Sequence, residues 1–326
     1  MPKLSVLEFG RVREGFDRRA AFDDARTLAQ HAEKHGYERI WVAEHHNFPA
    51  VASSAVSLVI SHLAAATSTI RVGSGGIMLP NHAPYVIAEQ FGTLATLYPG
   101  RIDLGVGRAP GTDQLTLRAL RRTPGSAENF PEDVQELQAW LAPVRPGQRV
   151  EAVPGSGTNV PIWILGSSLF GAQLAAELGL PYGFASQFAP QALDDALRTY
   201  RSRFKPSPQL DKPYALIGVN VIAAETDAEA RRLWTSQQMS FTGILRGERG
   251  LTKPPIDDID AYWTASEKHQ VSQMLGCSVV GSPETVRRGL QQLLERTQAD
   301  ELMIVSDVFE PALRLRSFEW IAGLGL

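Results

Sequence analysis

Two adjacent histidines after a short apolar segment are the first candidates for chemistry in this chain. Glu44, His45 and His46 follow residues 40–43, which are apolar. An imidazole has an ordinary pKa near 6.5, so it can exchange a proton or a hydrogen bond around neutral pH. We interpret His45 as a catalytic residue and Glu44 as a buried carboxylate that orients a neighbouring side chain. The alternative is that both histidines are buried structural residues, and for His46 neither interpretation is favoured.

Three later segments combine glycines with one cation and three hydroxyls. They are residues 73–76, 105–108 and 166–168. Glycines let the backbone approach a flat ring, Arg108 carries a permanent charge, and amides at the start of a helix bind phosphate. The three segments together have what an anionic, planar cofactor requires. Two structural alternatives remain: Arg108 pairs with Asp113, and Ser167 and Ser168 cap the helix that follows them.

Short apolar runs that alternate with helical patterns must position these groups. We predict eight strands, at residues 4–10, 39–46, 70–79, 101–108, 161–168, 182–188, 214–224 and 301–309. Eight such alternations favour a (β/α)8 TIM barrel, which takes about 250 residues. An open doubly wound sheet is the alternative. In a barrel, functional groups gather at the C-terminal ends of the strands, where the histidines and the glycine segments fall.

Two stretches exceed what a minimal barrel needs. Residues 111–157 follow the fourth predicted strand, and residues 227–300 follow the seventh. The second stretch carries helical patterns around 228–245 and 283–296, and it is a candidate lid over the barrel mouth. Neither stretch has an abrupt change of composition at both ends. We therefore expect a single domain over residues 1–326 with two insertions.

The overall composition excludes several classes of protein. The 326 residues include 32 Lys and Arg against 35 Asp and Glu, a balance that argues against binding to nucleic acid. The single cysteine, Cys277, excludes an intramolecular disulfide and a cysteine-rich zinc site. No run of about 18 apolar residues predicts a membrane span, and the N-terminus has no signal-peptide core. We expect a soluble, cytoplasmic protein.

Two further patterns were weighed as binding sites. His31 and His35 lie four residues apart on a predicted helix, which is a possible metal-ligand spacing. The pattern lacks the metalloprotease motif and precedes the second strand, away from the expected mouth, so we predict solvated surface and no metal site. Residues 105–111 resemble a dinucleotide-binding turn, but Pro110 occupies the sixth position and breaks the fingerprint.

The order and spacing of the strand-end motifs resemble those of the bacterial luciferase-like flavin-dependent monooxygenases. The motifs that carry the resemblance are residues 41–46, 71–84, 88–90 and 99–108. The match is close over residues 4–108 and looser over 161–188 and 300–307. Four ordered motifs in one chain are specific for the superfamily, but they do not fix the substrate.

This resemblance implies a barrel that binds reduced FMN and reacts it with O2 to give a flavin C4a-hydroperoxide, which oxygenates a small organic substrate. His45 matches the catalytic histidine of the family. The cofactor-binding positions implied are Ser74, Gly75, Gly76, Arg108, Gly166, Ser167 and Ser168. Of these, residues 74–76 correspond to a strand end under the flavin ring that often carries a non-proline cis peptide. Arg108 and residues 166–168 correspond to phosphate-binding positions.

The resemblance also implies partners. Because the chain lacks a dinucleotide fingerprint, we expect a separate NAD(P)H:flavin reductase to supply the reduced flavin. Relatives pair through the elements that correspond to the apolar helices at 53–66 and 84–98, so we expect a homodimer.

Three departures from the luciferases count against light emission and against a long-chain aldehyde substrate. Gly107 stands where the light-emitting enzymes have a reactive cysteine, and Asn47 separates the histidine pair from Phe48. Gly166 replaces an acidic residue before the phosphate-site serine. An F420-dependent oxidoreductase and a non-catalytic flavin-binding protein are the alternative functions.

Overall fold

The computed structural model describes residues 2–109 and 112–326. Gly111, the first residue of the first predicted insertion, and Met1 lie outside the described residues. The strands are β1 (Lys3–Glu8), β2 (Arg39–Val42), β3 (Arg71–Met78), β4 (Ile102–Gly107), β5 (Ile162–Gly166), β6 (Tyr182–Phe184), β7 (Ala215–Ala223), β8 (Ser278–Gly281) and β9 (Glu301–Val305).

Eight of these strands close into a parallel barrel, as the sequence predicts. Strands β1 to β7 follow one another in order, β7 pairs with β9, and β9 pairs with β1. All eight predicted strands correspond to barrel strands. The barrel needs both faces of each strand covered, which is why the sequence shows continuous apolar runs rather than a strict alternation.

Helices surround the barrel, and most of them bury one face against it. They are α1 (Arg18–Lys34), α2 (Val56–Ala65), α3 (Pro84–Leu97), α4 (Gln114–Ala119), α5 (Phe130–Leu141), α6 (Leu169–Leu178), α7 (Leu193–Arg203), α8 (Asp227–Leu245), α9 (Ala265–Met274), α10 (Pro283–Thr297) and α11 (Pro311–Ala322). The main hydrophobic cluster lies between the barrel and these helices. A second cluster fills the barrel interior with Leu7, Trp41, Trp163, Leu216 and Met303.

The two predicted insertions differ in character. Helix α5, which lies in the first, buries Phe130, Val134 and Leu137 in the main core and is the crossover between β4 and β5. The second contains the two predicted helices as α8 and α10, and also α9 and β8, which the sequence analysis missed. Strand β8 pairs with β7 from Asn220 onward, beyond the segment of β7 that pairs with β9.

No helix among the described residues is both long enough and apolar enough to cross a membrane.

Candidate active site

Parallel pairing brings the predicted site segments to one end of the barrel. Gly75 pairs with Gly105, and Gly107 pairs with both Met78 on β3 and Leu165 on β5. Arg108 and Gly166 are the residues that follow Gly107 and Leu165, so the register places them side by side. The C-terminal ends of β2 to β5 are therefore neighbours, as the barrel prediction requires.

The glycine pair on β3 is tightly enclosed by the barrel. The peptide bond between Gly75 and Gly76 is cis, as the resemblance implies. A Cβ on Gly75 would lie 2.6 Å from Cδ1 of Leu7, and one on Gly76 would lie 2.8 Å from the carbonyl oxygen of Gly105. Packing inside the barrel thus excludes side chains here, which the sequence analysis had attributed to the approach of a flat ring.

The side chain of Ser74 is fully buried and forms a hydrogen bond within the barrel. Its hydroxyl donates a hydrogen bond of 2.8 Å to the carbonyl oxygen of Gly105. The Ser74 side chain therefore joins β3 to β4 and is turned away from the mouth.

Arg108 is exposed and is held against an aromatic ring at the start of α6. Its guanidinium carbon lies 4.1 Å from the centroid of Phe170. Within the described ranges it forms no ion pair with a carboxylate. Asp113, the alternative partner, instead accepts hydrogen bonds from Arg249 at 2.7 Å and from Asn47 at 2.9 Å.

The first turn of α6 lies beside Arg108 and has room in front of it. Ser168 is the N-cap residue, and its side chain forms no capping hydrogen bond. Its carbonyl oxygen accepts a bond of 3.2 Å from the Tyr182 hydroxyl. A Cβ on Gly166 would have its nearest neighbour at 3.8 Å, and one on Gly107 at 3.5 Å. An uncapped helix start, a guanidinium without a carboxylate partner among the described residues and open space are features that an anion-binding site requires.

His45 lies at the end of β2 with its ring between two phenylalanines. The ring centroids of Phe9 and Phe48 lie 5.8 Å and 6.2 Å from that of His45. Its Nδ1 atom is buried and has no hydrogen-bond partner in the part of the chain that the structure describes. Burial, aided by the positive charge of Arg11, lowers the pKa of His45 to about 4.

This pKa corrects the expectation that His45 titrates near neutral pH. The expectation used the ordinary histidine value, which applies to a solvated ring. In the structure the imidazole is neutral at pH 7 and offers a hydrogen bond rather than a charge. Arg11 is fixed nearby by two hydrogen bonds to Asp307, at 2.7 Å and 3.2 Å.

Glu44 joins three segments around the mouth. One carboxylate oxygen, Oε1, lies 2.6 Å from Nε2 of His46 and 2.8 Å from Nε2 of His82. The other, Oε2, accepts a bond of 3.0 Å from the Met78 amide. Burial raises the pKa of Glu44, but the hydrogen bonds from His46 and His82 outweigh it, so the pKa lies below its usual value.

Glu44 is therefore the buried orienting residue that the sequence predicts, and the histidine it orients is His46 rather than His45. His82 was missed as a site residue. The sequence carries a signal for this residue, because His82 lies in the loop after the glycine-rich strand β3, within the matched motif at residues 71–84.

A charged cluster at the opposite end of the barrel was also missed. Arg39 donates hydrogen bonds to Asp103 at 2.6 Å and to Glu301 at 2.8 Å, and all three side chains are buried. Tyr214 donates a further bond of 2.8 Å to Glu301. The sequence signal for this cluster is that three otherwise apolar strands each contain one charged residue.

The fold is a parallel TIM barrel, and Arg108, the start of α6 and His45 all lie at the C-terminal end of its strands. The chain belongs to the luciferase-like monooxygenase family, whose model matches residues 3–301. A luciferase-like monooxygenase of Escherichia coli (strain K12) is 53% identical over 317 residues, which are 97% of this chain and 95% of that protein. The N-acetyl-S-alkylcysteine monooxygenase of Bacillus subtilis (strain 168) is 31% identical over 336 residues, 99% and 98% of the two chains.

Solved structures agree on the fold. Apo-MsnO8 superposes with a TM-score of 0.92 at 35% identity, over 99% of this chain and 98% of that one. The oxygenating constituent of 3,6-diketocamphane monooxygenase from Pseudomonas putida, solved with FMN, gives 0.74 at 18% identity over 98% and 96%. An F420-dependent secondary alcohol dehydrogenase gives 0.72 at 14% identity over 98% and 97%. At these lower identities the likeness concerns the fold alone, and it includes proteins with either cofactor.

Proposed function

We propose that this protein is an FMN-dependent monooxygenase that uses reduced flavin and O2 to oxygenate a small organic substrate. The observation that carries the proposal is the guanidinium of Arg108, which is free of a carboxylate partner within the described ranges and stands on Phe170 beside the uncapped start of α6. Cation and helix start together suit the terminal phosphate of FMN.

The residues around this site fit a flavin in other respects. Arg108 and the backbone of Gly166, Ser167 and Ser168 would hold the phosphate. The backbone at Ser74, Gly75 and Gly76 would lie under the flavin ring. The Ser74 hydroxyl would take no part in flavin binding. Reduced flavin, when bound, supplies the activation of O2. His45 would contribute a neutral imidazole whose buried Nδ1 lacks a partner among the described residues.

A cleft beside the mouth is the proposed substrate site. Arg11 and Phe48, which both adjoin His45, form part of its wall. Its apolar lining includes Met239 and Phe241 of α8, while Lys253 adds a cation and Glu248 an anion. Such a lining suits a small, mostly apolar substrate, and an anionic group on it would pair with Lys253. The B. subtilis relative is named for a substrate of that kind, an N-acetylated S-alkylcysteine.

Reduced flavin would come from a separate NAD(P)H:flavin reductase. Activity in this protein should therefore require either that enzyme or chemically reduced FMN. The region 227–300 would help to cover the substrate, because α8 provides part of the cleft wall.

Flavin binding is tested with Arg108→Ala and a matched control. Loss of a charged hydrogen-bond donor to phosphate should weaken FMN affinity at least about tenfold. Arg316 is the control, because its guanidinium also stacks on an aromatic ring, Trp320 at 4.7 Å, but on α11. Fluorescence titration with FMN should give wild-type affinity for Arg316→Ala. Equal FMN affinities for wild type and Arg108→Ala would refute the phosphate assignment.

Catalysis is tested separately with reduced FMN, ¹⁸O2 and a panel of N-acylated thioethers and ketones. Incorporation of one labelled oxygen atom into a product is the expected result. Tighter binding of F420 than of FMN would support the F420-dependent alternative. Tight FMN binding without turnover of any substrate in the panel would favour a non-catalytic flavin-binding protein.

A further inference from the structure

A cluster of two histidines and a glutamate lies between the first and last helices of the barrel. It contains His31 on α1, His35 just after the end of that helix, and Glu319 on α11. One potential ligand atom from each residue lies within 4.8 Å of the corresponding atoms of the other two. The sequence analysis predicted solvated surface here, but both histidines are half-buried. We propose instead that this cluster is a binding site for a divalent transition metal such as Zn²⁺, which joins α1 to α11.

The two histidines have the geometry of a chelating pair. The amide of His35 donates a hydrogen bond of 3.1 Å to the carbonyl oxygen of His31, so the helical spacing continues through both residues. Their ring centroids lie 4.3 Å apart. Residues four apart face the same side of a helix, which allows both imidazoles to reach one ion.

His31 has a ring nitrogen that needs a partner. Its Nε2 atom is buried and forms no hydrogen bond within residues 2–109 and 112–326. A buried polar atom without a partner is costly and calls for an explanation, such as an ion.

The backbone that carries the third ligand, the exposed residue Glu319, is held in place by the surrounding structure. Tyr37, two residues after His35, donates a hydrogen bond of 2.7 Å to the carbonyl oxygen of Phe318, the residue before Glu319. The rings of Tyr37 and Phe318 also pack edge to face, with centroids 5.7 Å apart. This contact fixes the chain beside His35 against α11, so both sides of the site are preorganised.

The other cluster with a possible ligand set, Glu44 with His46 and His82, is a weaker candidate. The Oε1 atom of Glu44 lies 2.6 Å from Nε2 of His46 and 2.8 Å from Nε2 of His82. These potential ligand atoms therefore already satisfy one another through hydrogen bonds. Ligand atoms around a tetrahedral Zn²⁺ are about 3.3 Å apart, given metal–ligand distances of about 2.0–2.1 Å. In the His31 cluster the potential ligand atoms lie within 4.8 Å of one another, and no hydrogen bond among the described residues occupies Nε2 of His31.

The chemical types of the three ligand groups determine which metal ions the site prefers. Two imidazoles and one carboxylate suit Zn²⁺, Co²⁺, Ni²⁺ or Cu²⁺ rather than Ca²⁺ or Mg²⁺, which prefer oxygen ligands. The site lies where α1 leads into the start of β2, on the face of the barrel opposite the mouth. A metal there would stabilise the closure of the barrel and take no part in the oxygenation.

Zinc titration of the untagged, EDTA-treated full chain tests the proposal. The expected results are saturable binding of one Zn²⁺ per chain and a rise in Tm with Zn²⁺ that Mg²⁺ does not reproduce. His35→Ala should weaken Zn²⁺ binding at least about tenfold and remove the shift in Tm, because loss of a ligand exceeds the effect of losing an outer-shell contact. His269→Ala is the control, since His269 is exposed on α9 and outside both clusters, and it should bind Zn²⁺ like wild type.

Glu319→Gln provides a second test at an exposed residue, in case His35→Ala unfolds, and it should also weaken Zn²⁺ binding. Absence of saturable Zn²⁺ binding by wild type would overturn the proposal. So would wild-type affinity in both variants, or loss of the bound Zn²⁺ in His82→Ala alone, which would place the metal at the mouth.

Discussion

His45 combines two properties at the scale of a single residue: a depressed pKa and a ring nitrogen without a protein partner in the described structure. Its half-buried ring lies between Phe9 and Phe48, and the nearby Arg11 disfavours a second positive charge. A neutral imidazole can donate a hydrogen bond from one nitrogen and accept one at the other. The role proposed for His45 is therefore to exchange hydrogen bonds with flavin or substrate, without a permanent change of charge.

The pKa of His45 makes folding stability depend on pH in a defined direction. The unfolded chain takes up a proton near pH 6.5, whereas the folded chain does so near pH 4. The free energy of unfolding should therefore fall as the pH is lowered from about 6.5 to about 4. His45→Gln cannot titrate, so urea unfolding at several pH values should show a shallower slope for this variant. Part of the slope should persist, because burial also lowers the pKa of His31.

The same variant separates catalysis from binding. Turnover by His45→Gln should drop at least about tenfold, while FMN affinity stays within about twofold of wild type. The contrary result is that the variant matches wild type both in turnover rate and in the pH dependence of its free energy of unfolding. That result would remove His45 from the mechanism and contradict its low pKa.

The strand ends show which glycines are required at the scale of an element. On β4, a Cβ at Gly105 would lie 2.2 Å from the carbonyl oxygen of Ser74, a backbone atom that cannot move aside. Two residues later, a Cβ at Gly107 would meet nothing closer than Sδ of Met78 at 3.5 Å. Both glycines lie on β4, but there is no space for a side chain at Gly105, whereas there is space for one at Gly107.

Gly105→Ala should therefore lower the free energy of unfolding by at least about 2 kcal/mol, whereas Gly107→Ala should change it by less than about 0.5 kcal/mol. Urea denaturation of the two variants beside wild type provides the measurement. Similar losses in both would mean that crowding at Gly105 does not decide which glycines β4 needs.

Elements and local motifs were predictable because their signals are local. Most barrel strands are predominantly apolar runs, and Arg108 and Gly166 lie next to their strands in the sequence. Strand β8 was not predictable in this way, since its four residues pair only with the outer part of β7. Contacts across long separations were equally hidden. His82 reaches Glu44 across 38 residues, and Arg39 reaches Glu301 across 262.

The barrel as a whole is closed by such long-range contacts. The cluster of Arg39, Asp103 and Glu301 connects β2, β4 and β9 at one end, and Glu44 connects β2 to β3 and the following loop at the other. Breaking a buried ion pair leaves a charge uncompensated, which typically costs about 3–5 kcal/mol. Charges inside the strands thus fix the arrangement of the barrel, and the mouth can keep Arg108 and His45 for a ligand.

We propose that the homodimer expected from the sequence forms through the outer surfaces of α2 and α3. Leu58 on α2 is 71% exposed, and Val86 and Leu97 on the neighbouring α3 are 43% and 59% exposed. Several large apolar side chains on two adjacent helices favour a protein–protein interface. Leu58→Arg would introduce a charge that association would have to bury, so we expect it to convert the dimer to a monomer.

Size-exclusion chromatography with light scattering measures the mass in solution. Wild type should have the mass of two chains, and Leu58→Arg that of one. Leu115 on α4 is the matched control, because it is 72% exposed but lies on a different helix. Leu115→Arg should remain dimeric, since its charge would lie in solvent in both states. A monomeric wild type would exclude the dimer, and a dimeric Leu58→Arg would place the interface away from α2 and α3.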